Sequence, residues 1–205
     1  MDRARQGVPD SELWLQAAHQ DGAAFGELFE RHVDAVYLHC FRRTASWSRA
    51  EELTSAVFLE AWRRRQAVRL DSDSILPWLL AVTNNVIRNA NRSLRRHQRL
   101  LAKLPPPLQA DDFVDDAAGR LDDEREMAHM LRLLGALRTE EQEVIALCDW
   151  AGLSYAQAAA ALDVPVGTIR SRLSRAHDHL RQRLGEAAED PHPVAPVCGT
   201  REGEK

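Results

Sequence analysis

The chain has 205 residues, 44% of them hydrophobic and 28% charged, with 27 Lys or Arg against 31 Asp or Glu and a formal net charge of −4. That length holds one large domain or two small ones. Three distant cysteines without a CxxC pair (Cys40, Cys148, Cys198) speak against a disulfide framework or a zinc site. The absence of a long apolar run or a signal-peptide core speaks against membrane insertion or export. A cytoplasmic protein without metal or cofactor is therefore the expectation. Ala, Leu, Arg and Glu dominate and strand-like alternation is hard to find, so the predicted fold is all-α.

Residues 1–10 are expected to be a loose leader. Asp10 or Ser11 can cap a short helix that ends near Asp21-Gly22, and a longer helix follows. It carries Phe25, Leu28, Phe29, His32, Val33, Val36, Tyr37 and Cys40 at helical spacing. Ser48 with Glu51 has the spacing of a capping box for the next helix, whose predicted buried stripe is Leu53, Val57, Phe58, Ala61 and Trp62. Arg63, Arg64 and Arg65 stand at its C-terminal end, where the helix dipole favours positive charge. Residues 66–74 form a polar loop.

Ser74 is the predicted cap of a third long helix, with Pro77 tolerated in the first turn. Trp78, Leu79, Val82, Val86 and Ala90 are assigned inward. Asn84, Arg88, Asn91 and Arg95 form an outward stripe, flanked by Asn85, Arg92 and Arg96. No acidic residue occurs in residues 84–103, whereas a solvated helix normally mixes signs for i,i+4 pairing. A one-signed face fits a phosphate partner, and asparagines add the capacity to hydrogen-bond base edges.

Leu104-Pro105-Pro106-Pro107 closes a first domain (residues 1–104), and the acidic stretch that follows is assigned as a flexible linker (residues 105–123). Fully extended, about 20 residues reach ~66 Å, nearly two turns of B-DNA at roughly 34 Å each. A second domain (residues 124–184) carries Met127, Leu131, Leu134 and Leu137 on one stripe. Thr139 and Gln142 are the predicted cap of the helix that holds Val144, Ile145 and Cys148. The tail (residues 185–205) is expected to be disordered.

The end of this second domain has the pattern of a helix-turn-helix. Ser154 and Gln157 make a capping box, Asp163-Val164-Pro165 interrupts the helix, and Ile169, Leu173, Ala176, Leu180 and Leu184 recur in steps of three and four. Thr168, Arg170, Ser171, Arg172 and Arg175 remain for the leading face of the second helix, the part that enters a major groove in such motifs.

Three blocks carry a resemblance to a known family. AFGELFERHVDAVYLHCFRRT (residues 24–44) continues into AEELTSAVFLEAWRRR (residues 50–65). LPWLLAVTNNVIRNANRSLRR (residues 76–96) follows, and then TEEQEVIALCDWAGLSYAQAAAALDVPVGTIRSRLSRA (residues 139–176). In this order they resemble bacterial sigma factors of the extracytoplasmic-function group. The resemblance implies core RNA polymerase and promoter DNA as partners, and it admits an anti-sigma factor as a third. It places Leu53, Thr54, Phe58 and Trp62 on the helix that grips the polymerase clamp. Asn84, Asn85, Arg88, Asn91 and Arg92 fall on the helix that reads the melted −10 element, with residues 66–74 holding a flipped base. Thr168, Arg170, Ser171, Arg172 and Arg175 fall on the helix that reads the −35 element as duplex. The acidic linker would run through the polymerase cleft. One departure stands out: the family usually carries a Gln-Glu or Gln-Asp pair after the Leu-Thr of the clamp-binding helix, and this chain has Ser55-Ala56.

A stand-alone helix-turn-helix regulator that works without core polymerase would account for the C-terminal half, but not for the Asn/Arg helix or the linker. A helical adaptor or anti-sigma protein would leave the arginine face unexplained. An enzyme finds little support, because the eight histidines are scattered and no HExxH, P-loop or nucleophile elbow occurs.

Overall fold

A computed structural model describes residues 7–70, 73–101 and 118–189. The leader up to residue 6, the linker between residues 102 and 117 and the tail from residue 190 lie outside the described residues, as does Cys198. Every regular element among the described residues is helical: α1 (Asp10–Ala18), α2 (Gly22–Thr44), α3 (Trp47–Arg64), α4 (Leu76–Leu101), α5 (Ala118–Leu134), α6 (Thr139–Ile145), α7 (Tyr155–Leu162) and α8 (Val166–Glu189). α6 runs on into one π-helical turn, Ala146–Trp150. Gly152, at φ +69°, then reverses the chain, a conformation that costs glycine little.

Helix starts follow the chemistry of the free N–H groups, though several caps differ from those expected. Asp21 accepts from the backbone N–H of Ala23 and Ala24 at the start of α2. Ser46 rather than Ser48 caps α3, accepting from Arg49 N. Both serines offer a hydroxyl, and only Ser46 has the extended backbone that aims it at the first turn (φ −148°). At α6 the Glu141 carboxylate accepts from Arg138 N, while Gln142 donates to the carbonyls of Leu134 and Leu137 instead of to the cap. Ser74 does serve α4, accepting from Leu76 N at 3.3 Å. α5 begins at Ala118, inside the acidic stretch assigned to the linker. Its Glu124 side chain accepts from Trp47 N on α3, which gives that helix a docking point. α8 extends to Glu189, five residues into the expected tail.

Asp10 does not cap its own helix. Its carboxylate is buried and gathers three elements: Ile75 N ahead of α4 at 3.1 Å, His32 Nε2 at 2.6 Å and Arg31 Nη1 at 3.2 Å on α2. Burial alone would raise the pKa of this carboxyl, but the Ile75 N–H, His32 and Arg31 outweigh it and the net direction is downward. Around this node α1–α4 pack a core of Leu13, Leu28, Val36, Val57, Phe58 and Leu79. Aromatic contacts reinforce it: Trp14 with Trp78 (centroids 5.2 Å apart), Phe25 edge-on to Trp62 (5.0 Å) and Phe41 stacked on Trp47 (3.6 Å). A second core, of Leu134, Leu137, Val144, Leu147, Ile169 and Leu173, fills the C-terminal helices and also takes in Leu80 of α4, with Leu76 packed at its edge. The two domains therefore meet along α4.

Asp10→Ala is expected to lower unfolding stability by about 2–4 kcal/mol, since it strands the buried Ile75 N–H and removes the contacts to His32 and Arg31. Because the folded carboxyl titrates below the ordinary 3.8, this stability is present above pH 3.8 and lost as the pH falls through the folded value. Urea titrations of wild type and Asp10→Asn across the acid range check both points, and the variant should show the weaker dependence.

Candidate nucleic-acid interface

The C-terminal candidate site is built by α7, a tight turn and α8. Ser154 and Gln157 satisfy each other's backbone N–H groups, at 3.2 and 2.9 Å. Asp163 takes the left-handed conformation (φ 52°) that ends α7, and α8 starts one residue after Pro165. Ile169, Leu173 and Ala176 lock α8 into the core. This leaves Arg170, Ser171 and Arg175 exposed, with Thr168 and Arg172 half-buried beside them. Ser171 Oγ donates to Thr168 O and Arg175 Nε to Ser171 O, so both side chains lie along the helix. The Arg170 guanidinium sits 5.9 Å over the exposed Tyr155 ring. Val166 and Gly167 are exposed at the tip. All five residues assigned to this face from the sequence are thus brought together.

α4 divides its candidates. Asn84 is 2% exposed and points inward, a correction to the outward stripe: its Oδ1 meets His39 Nε2 at 3.2 Å. The reason is that α4 is covered on two sides. Leu80, Thr83, Asn84 and Ile87 form a second inward stripe beside Leu79 and Val82, so a single amphipathic face does not describe it. Asn91 is half-buried and accepts from Arg49 Nη2 at 3.3 Å. Arg88 holds the buried Glu143 of α6 through two hydrogen bonds, which raise the pKa of its guanidinium. Arg92, Arg95, Arg96 and Arg99 are exposed. With Arg43 and Arg88 they line a cleft of about 410 Å³ between α4 and α6. Asn85 faces elsewhere, into a groove of about 500 Å³ between α3 and α4.

On α3 the structure buries Leu53, Thr54 and Phe58, and half-buries Trp62 beneath the Arg65 guanidinium at 3.6 Å. Thr54 spends its hydroxyl on Ala50 O. These residues shape the helix from inside and offer little to a partner. Its outward face is instead Glu52, Ser55, Ala56 and Leu59, the last 49% exposed, alongside Asn89 of α4. Following the periodicity of the buried stripe to its opposite side would have found them. Glu143 was also missed. Its signal was a carboxylate immediately before the apolar run Val144, Ile145, Ala146 and Leu147, a place that demands a buried counter-charge.

Burial lowers the pKa of His39 to about 4, with Arg43 and Arg42 adding repulsion and only the Asn84 contact opposing. Burial likewise lowers Arg43. The Cys40 thiol is pushed up to about 11, which makes it a core group rather than a nucleophile. Among the described residues no cluster of His, Cys, Asp and Glu has the makings of a metal site, and no helix is long and apolar enough to cross a membrane.

Comparison with known proteins matches residues 28–100 to the sigma-70 region 2 family and residues 129–180 to the sigma-70 region 4 family. The chain is 34% identical over 171 residues to the ECF RNA polymerase sigma factor SigC of Mycobacterium tuberculosis, covering 82% of this chain and 87% of SigC. It is 30% identical over 164 residues to the ECF RNA polymerase sigma factor SigE of Mycolicibacterium smegmatis, spanning 80% of this chain and 62% of that relative. Among solved structures, CnrH in complex with the cytosolic domain of CnrY superposes with a TM-score of 0.65 at 26% identity, over 86% of this chain and 97% of CnrH.

The titration of His39 yields a test of the α2–α4 contact. Its folded pKa of about 4 lies below the ordinary 6.5, so the neutral ring supports the fold above pH 6.5. That support is lost on acidification between these values, at up to roughly 1.4 kcal/mol per pH unit. His39→Gln, which retains a donor for Asn84, should flatten the pH dependence of the urea midpoint over this window.

Proposed function

The chain belongs to the ECF RNA polymerase sigma factors, transcription initiation factors without a catalytic step of their own, and from that premise we propose how it divides the work of promoter recognition. The N-terminal domain binds core RNA polymerase and takes up the melted −10 strand, and the C-terminal domain reads the −35 element as duplex. The observation that carries this reading is the end of α8. A helix-turn-helix presents Arg170, Ser171 and Arg175 to solvent, with Thr168 and Arg172 at their sides and Gly167 keeping the tip slim. Such a helix suits a major groove about 12 Å wide, where arginine can make two hydrogen bonds to the edge of a guanine.

For the −10 strand the candidates are Asn85, Arg88, Asn91 and Arg92, with Arg95 and Arg96 as phosphate contacts. Asn84 supports the helix from within. Melting follows from differential binding: an extruded base costs a few kcal/mol, and capture beside α4 offsets it. Polymerase would rest on the outward face of α3, where Ser55 and Ala56 replace the polar pair usual in the family and Leu59 supplies apolar area. An anti-sigma factor is a further candidate partner, given the likeness to CnrH, which was solved with CnrY. Such a factor would act in the cytoplasm, where bacterial polymerase is.

Run-off transcription with core polymerase over genomic fragments tests the whole reading. Starts that depend on this protein are expected, and a chain that binds its site equally well without polymerase would be a stand-alone regulator instead. Arg172→Ala and Arg175→Ala should each weaken −35 recognition by about 1–3 kcal/mol where the residue contacts a base, as measured by transcription from base-substituted promoters. Equal loss on specific and non-specific DNA would make that arginine a phosphate contact.

A further inference from the structure

The cleft of about 410 Å³ between α4 and α6 carries more positive charge than its own carboxylates offset. At one end both oxygens of the buried Glu143 hold Arg88, and Glu140 adds attraction from the same helix. Arg43 of α2 lies beside this pair, largely buried, and its Nε has no hydrogen-bond partner among the described residues. Burial pulls the pKa of Arg43 down, Glu143 opposes this, and Arg88 adds repulsion. Two guanidinium groups thus share one buried carboxylate, which leaves a positive charge poorly compensated where compensation matters most. Further out, Arg92, Arg95, Arg96 and Arg99 are exposed and form no ion pair among the described residues. Like charges three and four residues apart on one helix repel each other.

The lining defines the chemistry of a ligand. Among the described residues Ile87 is its one apolar member and no aromatic ring reaches it, so a nucleobase finds no stacking partner there. Guanidinium groups bind phosphate oxygens in pairs, and Thr139 on the α6 side adds a hydroxyl donor. From Arg88 to Arg99 the arginines extend along about three helical turns, roughly 16 Å. One phosphate cannot reach across that row, but linked phosphates can. The volume falls in the range of small-molecule sites, roughly 300–1,000 Å³. We propose that this cleft binds a linear condensed phosphate, a triphosphate group or a longer inorganic chain, between Arg43, the arginines of α4 and Thr139 of α6. Such a ligand is distinct from a promoter strand, because the site needs Arg43 of α2 and the α6 wall and offers nothing to bases. Bound there, it supplies Arg43 with counter-charge, ties α2, α4 and α6 together and stabilises the fold by mass action. The proposal stands whether or not α4 also reads a strand.

Thermal unfolding and isothermal titration of the full chain, without DNA, polymerase or divalent cations, test the site. Sodium tripolyphosphate is expected to raise Tm and to bind saturably, whereas orthophosphate and sulfate at equal ionic strength leave Tm nearly unchanged. Arg43→Gln removes the inner cation, and Thr139→Glu sets a carboxylate on the exposed α6 wall. Each should weaken tripolyphosphate binding by about tenfold or more, the effect of losing a hydrogen bond to a charged group. Arg120→Gln, an exposed arginine of α5 outside the cleft, should leave it unchanged. Circular dichroism checks the folding of each variant; if Arg43→Gln does not fold, Thr139→Glu decides, and unchanged affinity there overturns the site. An equal rise of Tm with sulfate, or an equal loss in Arg43→Gln and Arg120→Gln, would reduce the binding to general electrostatics and overturn it as well. ATP separates the two sources of the ligand. Equal binding makes the triphosphate group sufficient, weaker binding narrows the source to the inorganic chain, and both support the site. Binding of ATP about tenfold tighter than tripolyphosphate would require contacts to the base and overturn it.

Discussion

The structure depends on α4 being buried from two directions. Leu79 and Val82 close the N-terminal core, while Leu80 enters the C-terminal one. Neighbouring positions on one helix thus serve different hydrophobic clusters, and exposure is continuous only in the distal part of α4, with Asn85 an exposed position before it. Few substitutions along residues 75–87 can be neutral under that constraint. It also explains why Thr83 returns its hydroxyl to Leu79 O and why Asn84 turns to His39, since a buried polar side chain must find a partner close by.

The electrostatics follow the same division. The net charge of the chain is slightly negative, yet arginines are concentrated on the distal half of α4 and the leading half of α8. Local fields, not the total, govern attraction to a polyanion. The acidic residues that oppose them are placed with equal care. Glu143 is spent on Arg88, and Asp149 meets His177 at 2.7 Å on the flank of α8, away from its leading residues.

The family likeness covers both halves of the chain. Region 2 matches residues 28–100, the span that includes α3 and α4, and region 4 matches residues 129–180, the span of the helix-turn-helix. The departure at Ser55-Ala56 lies on the outward face of α3, beside Leu59, where a change of side chain alters what a partner meets without disturbing the core.

The amino-acid sequence determined the helical class, the position of the turn before α8, the buried stripe of Ile169, Leu173 and Ala176 and the exposed set that complements it. Each of these follows from contacts within about four residues, through helical periodicity, the Ser154–Gln157 box and the missing N–H of Pro165. What only the tertiary structure decided was the second buried side of α4, the inward turn of Asn84, the tie of Asp10 to Ile75 N ahead of α4 and the pairing of Arg88 with Glu143. These contacts join residues 45 to 65 positions apart. The pattern of one helix tells which side is apolar, but which neighbour covers its remaining sides is set by how separate helices pack, and no local periodicity records that.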